Sequence, residues 1–382
     1  MEKVIKLVGR IDSTNSSEVE EKIIKDLESF EGKLILNLEE LEYISSAGLR
    51  IILKLKKLND NTEIINCNSE IFNIMEMTGF TDMMNVSKSF RNISIEGCPA
   101  IGKGANGIVY RYDPETIVKV FNKKNSLDMI KKERELAKKA FIKGIPTAIS
   151  YDIVKVGDLY GAVFEMIDSK TFDQLISEGE DIEELVKKSA QLMKKFHSIK
   201  LPSGELPSKK EIQIQKAKFC LDYLPKEIGE KLIKLVEDIP ETNTMLHGDC
   251  QIKNIMKQGD EILLIDMDSV ALGHPIFEFG ALYATYKGYS CVNKDDVYKF
   301  LGITTEQSNM ILDLMFKLYF NDKDEKEIQE IKQRASILGY LQVLNSLIHK
   351  KEKGKIDNEG EKTIEFCRNY LADNIMKIDK LY

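Results

Sequence analysis

Three polar side chains sit along one short stretch with the spacing that phosphoryl transfer requires. Asp249 follows His247 and Gly248, Asn254 lies five positions on, and Asp266 closes an apolar run that ends at Ile265. A carboxylate that orients a hydroxyl, with a carboxamide and a second carboxylate that hold Mg²⁺ against the phosphates of ATP, is a complete set for that chemistry. The residues between them imply the geometry. Met245 and Leu246 would deliver Asp249 to a loop, residues 254–256 leave it as a strand, and residues 261–265 return antiparallel after a turn. A turn centred near Gly259 and Asp260 sets Asn254 opposite Ile265, so Asp266 emerges beside Asn254. Such oxygen-only ligation suits Mg²⁺, which takes its remaining ligands from water and phosphate.

A second group of residues lies upstream. Gly102, Gly104 and Gly107 match a GxGxxGxV loop, in which glycines let backbone amides approach phosphate oxygens. A dinucleotide-binding turn would need a helix straight after the third glycine. Here residues 108–112 read as a strand, Asp113-Pro114-Glu115 as a turn and residues 116–121 as a returning strand. Lys119 lies in that strand between apolar neighbours, where a lysine predicts a partner charge. On the following helix Glu133 shares a face with Ile130, Ala137 and Ala140, whereas Glu135 faces Lys132 and Lys139, and both acids are open as sources of that charge.

The His247-Gly248-Asp249 motif, taken with the glycine loop and Lys119, resembles the aminoglycoside phosphotransferase and choline kinase group, the small-molecule branch of the protein-kinase-like fold. That resemblance implies an α+β bilobal architecture with the N-lobe at about 96–167 and the C-lobe at about 168–382. It also implies roles: Asp249 catalytic, as the base or hydroxyl-orienting residue; Asn254 and Asp266 as metal ligands; Gly102, Gly104, Gly107, Lys119 and Glu133 at the nucleotide. His247 would support the loop, Asp268 would assist, and His197 would be structural. Residues 163–167 would be the connector facing adenine. Gly248 replaces the arginine of protein kinases, and Gln251 the lysine two residues after the catalytic aspartate. Only twelve positions separate Asp266 from Glu278, too few for a peptide platform. Residues 273–280 resemble the family's GDPxxDLA element with Glu278 for the usual aspartate, and helices expected over 310–320 and 335–348 fall where relatives build the acceptor pocket.

Residues 1–88 alternate strand and helix. Strands are expected at 4–8, 34–38 and 63–67. A capping-box match at Ser17 to Glu20 predicts a helix with Val19, Ile23, Leu27 and Phe30 on one face, and further helices start near Ser45 and Ser69. Asn37-Leu38-Glu39-Glu40-Leu41, residues 43–50 and Met77-Thr78-Gly79-Phe80 resemble the STAS domain of anti-sigma-factor antagonists, which implies an α/β module, a mixed sheet with helices, that docks a protein partner. In that family a serine before the Gly-Leu pair is phosphorylated. Ala47 occupies that position, and of the nearest hydroxyls, Ser45 and Ser46, Ser46 is the candidate regulatory phosphosite, with helix capping the alternative for both.

The 382 residues therefore divide into a STAS-like domain at 1–88, a linker at 89–95 and a phosphotransferase-like domain at 96–382. A net charge of −7 argues against nucleic acid as a ligand. Six dispersed cysteines without a CxxC pair fit reduced thiols, and no apolar run reaches the roughly 20 residues of a membrane span, so the cytoplasm is the expected location. The leading expectation is an ATP- and Mg²⁺-dependent kinase of a small-molecule hydroxyl. Its alternatives are a nucleotide-binding, partner-switching regulator and a protein kinase acting on its own Ser46.

Overall fold

The structure is a computed structural model that describes residues 2–27, 30–104, 106–167 and 169–382. The chain forms two compact units: Met1–Tyr112 with Val118–Asn122 and Asp152–Val163, and Asp113–Ile117 with Lys123–Tyr151 and Phe164–Tyr382.

The first unit opens with strands β1 (Glu2–Ile11), β2 (Lys33–Ile44), β3 (Thr62–Cys67) and β4 (Val86–Lys88), hydrogen-bonded in that order. Helices α1 (Ser16–Asp26), α2 (Ser46–Leu58), α3 (Ser69–Met77) and α4 (Phe80–Met83) connect them. Where a mixed sheet is expected, all three strand pairs are parallel. Each connection carries a helical crossover, and that is the connection parallel pairing requires. Leu34, Leu36 and Leu38 are fully buried with Ile52, Leu55 and Ile64 in one core.

Local chemistry explains the helix starts. Ser45 caps α2 by accepting from the Ala47 amide, and Asn68 caps α3 by accepting from Ile71. The capping box expected at Ser17 does not form: the cap falls two residues earlier, at Asn15, whose side chain turns back to Asp12 and Arg10. Phe30 falls beyond the end of α1 instead of on its face.

A five-stranded sheet follows, ordered β5 (Ala100–Lys103), β6 (Gly107–Arg111), β7 (Thr116–Phe121), β9 (Leu159–Glu165), β8 (Asp152–Val156). Its small core is Val118, Val120, Val154 and Val163. Residues 89–95 do more than link. The Ile93 amide donates to Lys155 O and the Lys155 amide to Arg91 O, both at 2.9 Å, so the segment extends the sheet at β8. Arg91 pairs with Asp152 at 3.4 Å, and Phe90 meets Tyr160 edge to face.

The second unit is mostly helical. Helix α5 (Leu127–Ile142) is capped by Ser126 and packs on the 3₁₀ turn Met267–Ser269. After β10 (Lys170–Thr171) come α6 (Phe172–Ser177), α7 (Ile182–His197), α8 (Lys209–Phe219) and α9 (Lys226–Glu237). Strands β11 (Met245–Leu246) and β14 (Ala271–Leu272) pair with each other and bracket the β12 (Ile255–Gln258), β13 (Glu261–Leu264) hairpin. Helices α10 (Ile276–Tyr283), α11 (Asp295–Leu301), α12 (Thr305–Tyr319), α13 (Glu325–Glu352) and α14 (Asn358–Ile375) complete it around a large apolar core. No helix among the described residues is long and apolar enough to cross a membrane.

Candidate active site

Hairpin register fixes the chemical end. Gln258 pairs with Glu261 across the Gly259-Asp260 turn, where Gly259 has φ +56°, and Ile255 pairs with Leu264. Counting back, the Ile265 amide donates to Asn254 O at 3.0 Å, so Asp266 leaves the hairpin next to Asn254 as the spacing predicts. Asn254 itself ends a 3₁₀ turn, Ile252–Asn254, instead of opening the strand. Its Nδ2 donates to Asp249 O at 2.9 Å and to Asp249 Oδ2 at 2.8 Å. With both amide hydrogens spent there, Oδ1 is left as an acceptor that receives no hydrogen bond among the described residues.

Asp266 is held at φ +63°, ψ +62°. Left-handed backbone is strained for a residue with a Cβ, and aspartate is among the few that tolerate it. The strain turns the chain out of β13 straight into the Met267–Ser269 turn.

The Asp249 loop rests on buried charge. Glu278, fully buried in α10, accepts from Gly248 N at 3.0 and 2.9 Å and from Cys250 N at 3.3 Å. Burial alone would raise its pKa; the His197 imidazole, first, and the Gly248 amide outweigh that and hold it at about 2. His197 Nε2 lies 3.7 Å from Glu278 Oε2, an electrostatic contact longer than a hydrogen bond, while its Nδ1 meets Tyr319 Oη at 2.7 Å. His247 donates from Nε2 to Ile265 O at 3.2 Å and accepts at Nδ1 from the Asp249 amide at 3.3 Å, the pattern of a neutral ring. Burial depresses its pKa accordingly.

Asp249 is pushed up to about 7, first by burial and then by Asp266, with Asp268 and Glu278 adding to the effect against the Asn254 hydrogen bond. An oxygen-only set with surplus negative charge fits a hard divalent cation. Among the described residues no group of three or more His, Cys, Asp or Glu could hold a metal, so a cation here would rely on Asn254 and Asp266 and complete its shell with water and phosphate oxygens. Cys250 is buried and its thiol pKa lies far above the usual range, which makes it unreactive.

The glycine loop and Lys119 lie in the first unit. Gly104 N donates to Gly107 O at 2.9 Å, closing the β5–β6 hairpin; Ala105 lies outside the described residues. A Cβ on Gly107 would sit 2.1 Å from Val120 O, so only glycine fits there, whereas Gly104 has open space and Gly102 ordinary contact with Val109. Strand alternation sends Val118 and Val120 into the core and Lys119 to the opposite face, half-buried, with Nζ 5.1 Å from the Phe121 ring centre. Glu133 is half-buried on α5 and Glu135 exposed. In the connector, the Met166 amide already donates to Glu115 O at 2.6 Å.

Two supports of this site stand outside the candidate set: Glu278, marked only by the resemblance of residues 273–280 to the GDPxxDLA element, and Lys209, which carries no local signal. Glu278 is twelve positions from Asp266 and becomes a support only when α10 packs beneath the loop. Lys209 reads as one more lysine in a polar stretch, yet it is 5% exposed, and a Cβ on Gly248 would lie 2.7 Å from its Nζ.

A kinase-like phosphotransferase domain preceded by a STAS domain is the class this arrangement defines. The model of the phosphotransferase enzyme family matches residues 98–292, more than half of the chain, and the STAS domain model matches residues 2–93. The chain belongs to the phosphotransferase enzyme family and carries an N-terminal STAS domain. The N-terminal part is similar to a protein of Bordetella bronchiseptica described as anti-sigma factor antagonist BtrV, 28% identical over 87 residues, 22% of this chain and 75% of the relative. Among solved structures, the aminoglycoside phosphotransferase APH(2")-IIa bound to gentamicin is 16% identical, covering 78% of this chain and 95% of its own at a TM-score of 0.47. A choline/ethanolamine kinase family protein from Mesorhizobium loti is 13% identical, with 73% and 92% covered and a TM-score of 0.47.

Proposed function

We propose that this phosphotransferase uses ATP and Mg²⁺ and moves the γ-phosphoryl group to a hydroxyl of a small molecule. The domain limits follow the sequence reading: STAS module 1–88, joint 89–95, phosphotransferase 96–382. In this reading Gly102, Gly104, Gly107 and Lys119 engage the nucleotide phosphates, Glu133 partners the lysine, and Asn254 and Asp266 hold Mg²⁺. The metal, when bound, neutralises charge on the phosphates. Asp249 orients the acceptor hydroxyl and takes its proton as the new P–O bond forms and the bond to ADP breaks.

The observation that supports this most directly is the bond from Asn254 Nδ2 to Asp249 Oδ2, with Asp266 next in the hairpin register. It gives base and metal site one shared brace. Asp249→Asn is expected to lower transfer by at least about a thousandfold while Mg·ADP binding, read by calorimetry, survives. Unchanged turnover would refute the base role. The six cysteines are all free, which supports a cytoplasmic location.

A second reading, autophosphorylation at Ser46, draws on one observation. Ser46 is exposed at the first position of α2, while the Ser45 hydroxyl is spent on the Ala47 amide. Peptide mass spectrometry after incubation with Mg·ATP separates the readings: an unmodified Ser46 discards the second.

A further inference from the structure

Helix α8 breaks the rule that the inward stripe of a helix is apolar. Its buried residues are Lys209, Gln213 and Ala217, continued by Cys220 at its C-cap, with half-buried Lys216 at the border of the same stripe. Lys209 is 5% exposed and Gln213 only 1%. Lysine is almost never buried to that degree unless paired. Among the described residues, however, neither lysine lies within ion-pair distance of an acid, and Gln213 Oε1 has no hydrogen-bond partner. A buried cation without an ion-pair partner costs several kcal/mol, and at Lys209 burial outweighs the pull of the more distant acids Glu278, Asp249 and Asp268. Residues of this kind answer to something the chain itself does not supply.

Position says where that something lies. Lys209 Nζ abuts Gly248, the residue before Asp249, and its Cβ abuts Gly273. Lys216 is seven residues further, about 10 Å along the helix axis at 1.5 Å per residue. Across from this end of α8 stands α13, which packs on it and carries the buried Asn345. Resting on the phosphotransferase reading above, we propose that the acceptor is an anion: a small hydroxylated molecule whose carboxylate or phosphate group is held along the inner face of α8 by Lys216 and Lys209, with one of its hydroxyls donating to Gln213 Oε1.

Charge balance agrees with this. Burial and the positive charge of Lys209 bring Lys216 down to about 8, and burial also lowers Lys209 despite the pull of Glu278, Asp249 and Asp268. An anion between the two lysines relieves their mutual repulsion, whereas an amine would add a third cation. The separation of Lys216 from the Asp249 loop sets the acid group several bonds from the reacting hydroxyl, the dimension of a sugar acid or sugar phosphate.

The test gives the full-length chain Mg·ATP and three matched sets of hydroxyl compounds: gluconate with glucose 6-phosphate, glucose with glycerol, and glucosamine with ethanolamine. Products are read by mass spectrometry, and binding of each compound in the presence of Mg·ADP by calorimetry. The anionic set is expected to bind and to be phosphorylated, and its carboxylate and phosphate arms tell which group is preferred. Lys216→Met should raise the acceptor KM or Kd at least tenfold while the Kd for Mg·ADP moves less than twofold, and Lys216→Arg should recover most of the loss. Transfer confined to neutral or amine compounds overturns the inference, as does an unchanged acceptor constant in Lys216→Met. Mg·ADP binding without any anion binding overturns this inference alone; failure of the wild type to bind Mg·ADP overturns the phosphotransferase reading and this inference with it.

Discussion

At the scale of single residues, Glu278 organises the site without chemistry of its own. One carboxylate collects the Gly248 and Cys250 amides and faces two imidazoles, so the loop that carries Asp249 hangs from it. Glu278→Gln keeps the shape but presents a neutral group, and is expected to cost about 3 kcal/mol of stability at neutral pH. The sign of the pH dependence follows from a folded pKa of about 2 against an ordinary 4.5. Stabilisation is complete above the ordinary value and fades as pH falls from 4.5 towards 2. Urea unfolding at pH 6 and pH 3 should therefore show the gap between wild type and Glu278→Gln narrowing at the lower pH. A gap that stays constant would show that the charge of Glu278 is not what matters.

At the scale of elements, the joint at 89–95 behaves as part of the sheet it leads into. Its two backbone bonds to Lys155 occupy the edge of β8 that would otherwise present unpaired groups, and Ile93 and Ile95 pack on the valine core. Replacing Ile93 by proline removes the donor to Lys155 O. The expected result is exchange of the Lys155 amide accelerated about tenfold, which corresponds to about 1.4 kcal/mol of lost local protection. Hydrogen exchange read residue by residue checks it, and an unchanged Lys155 amide would mean the joint is not anchored there. The β5–β6 hairpin depends on backbone contact in the same way, since Gly107 lies so close to Val120 O that no side chain fits.

For the whole molecule, the buried side chains form separate clusters: one for the parallel sheet and its helices, a small valine group in the five-stranded sheet, and one large core in the second unit. Separate cores unfold with their own free energies. Calorimetry is expected to resolve at least two transitions. Mg·ADP at a hundred times its Kd should stabilise the nucleotide-binding part by about 2.7 kcal/mol and leave the STAS transition in place. A single two-state transition that shifts as a whole would show the parts to be thermodynamically one.

Much of the chemical end was legible in order. The spacing of Asp249, Asn254 and Asp266 with a Gly259-Asp260 turn determines a hairpin register, because two-residue turns leave strand pairing little freedom. The glycine loop, the two strands after it and the helix start near Ser45 are equally local, each set by neighbours within a few residues. The parallel course of the N-terminal sheet, the failed capping box at Ser17 and the docking of residues 89–95 on β8 were settled by partners far along the chain. So were the roles of Glu278 and Lys209. Residues 273–280 mark Glu278 only through a family resemblance, which does not say what it supports, and nothing near Lys209 distinguishes an unmatched buried cation from an ordinary surface charge. What decides is which backbone amides and which acids the packing of α10 and α8 brings within reach, and electrostatic energy depends on distance in space and on burial, to which sequence separation is blind.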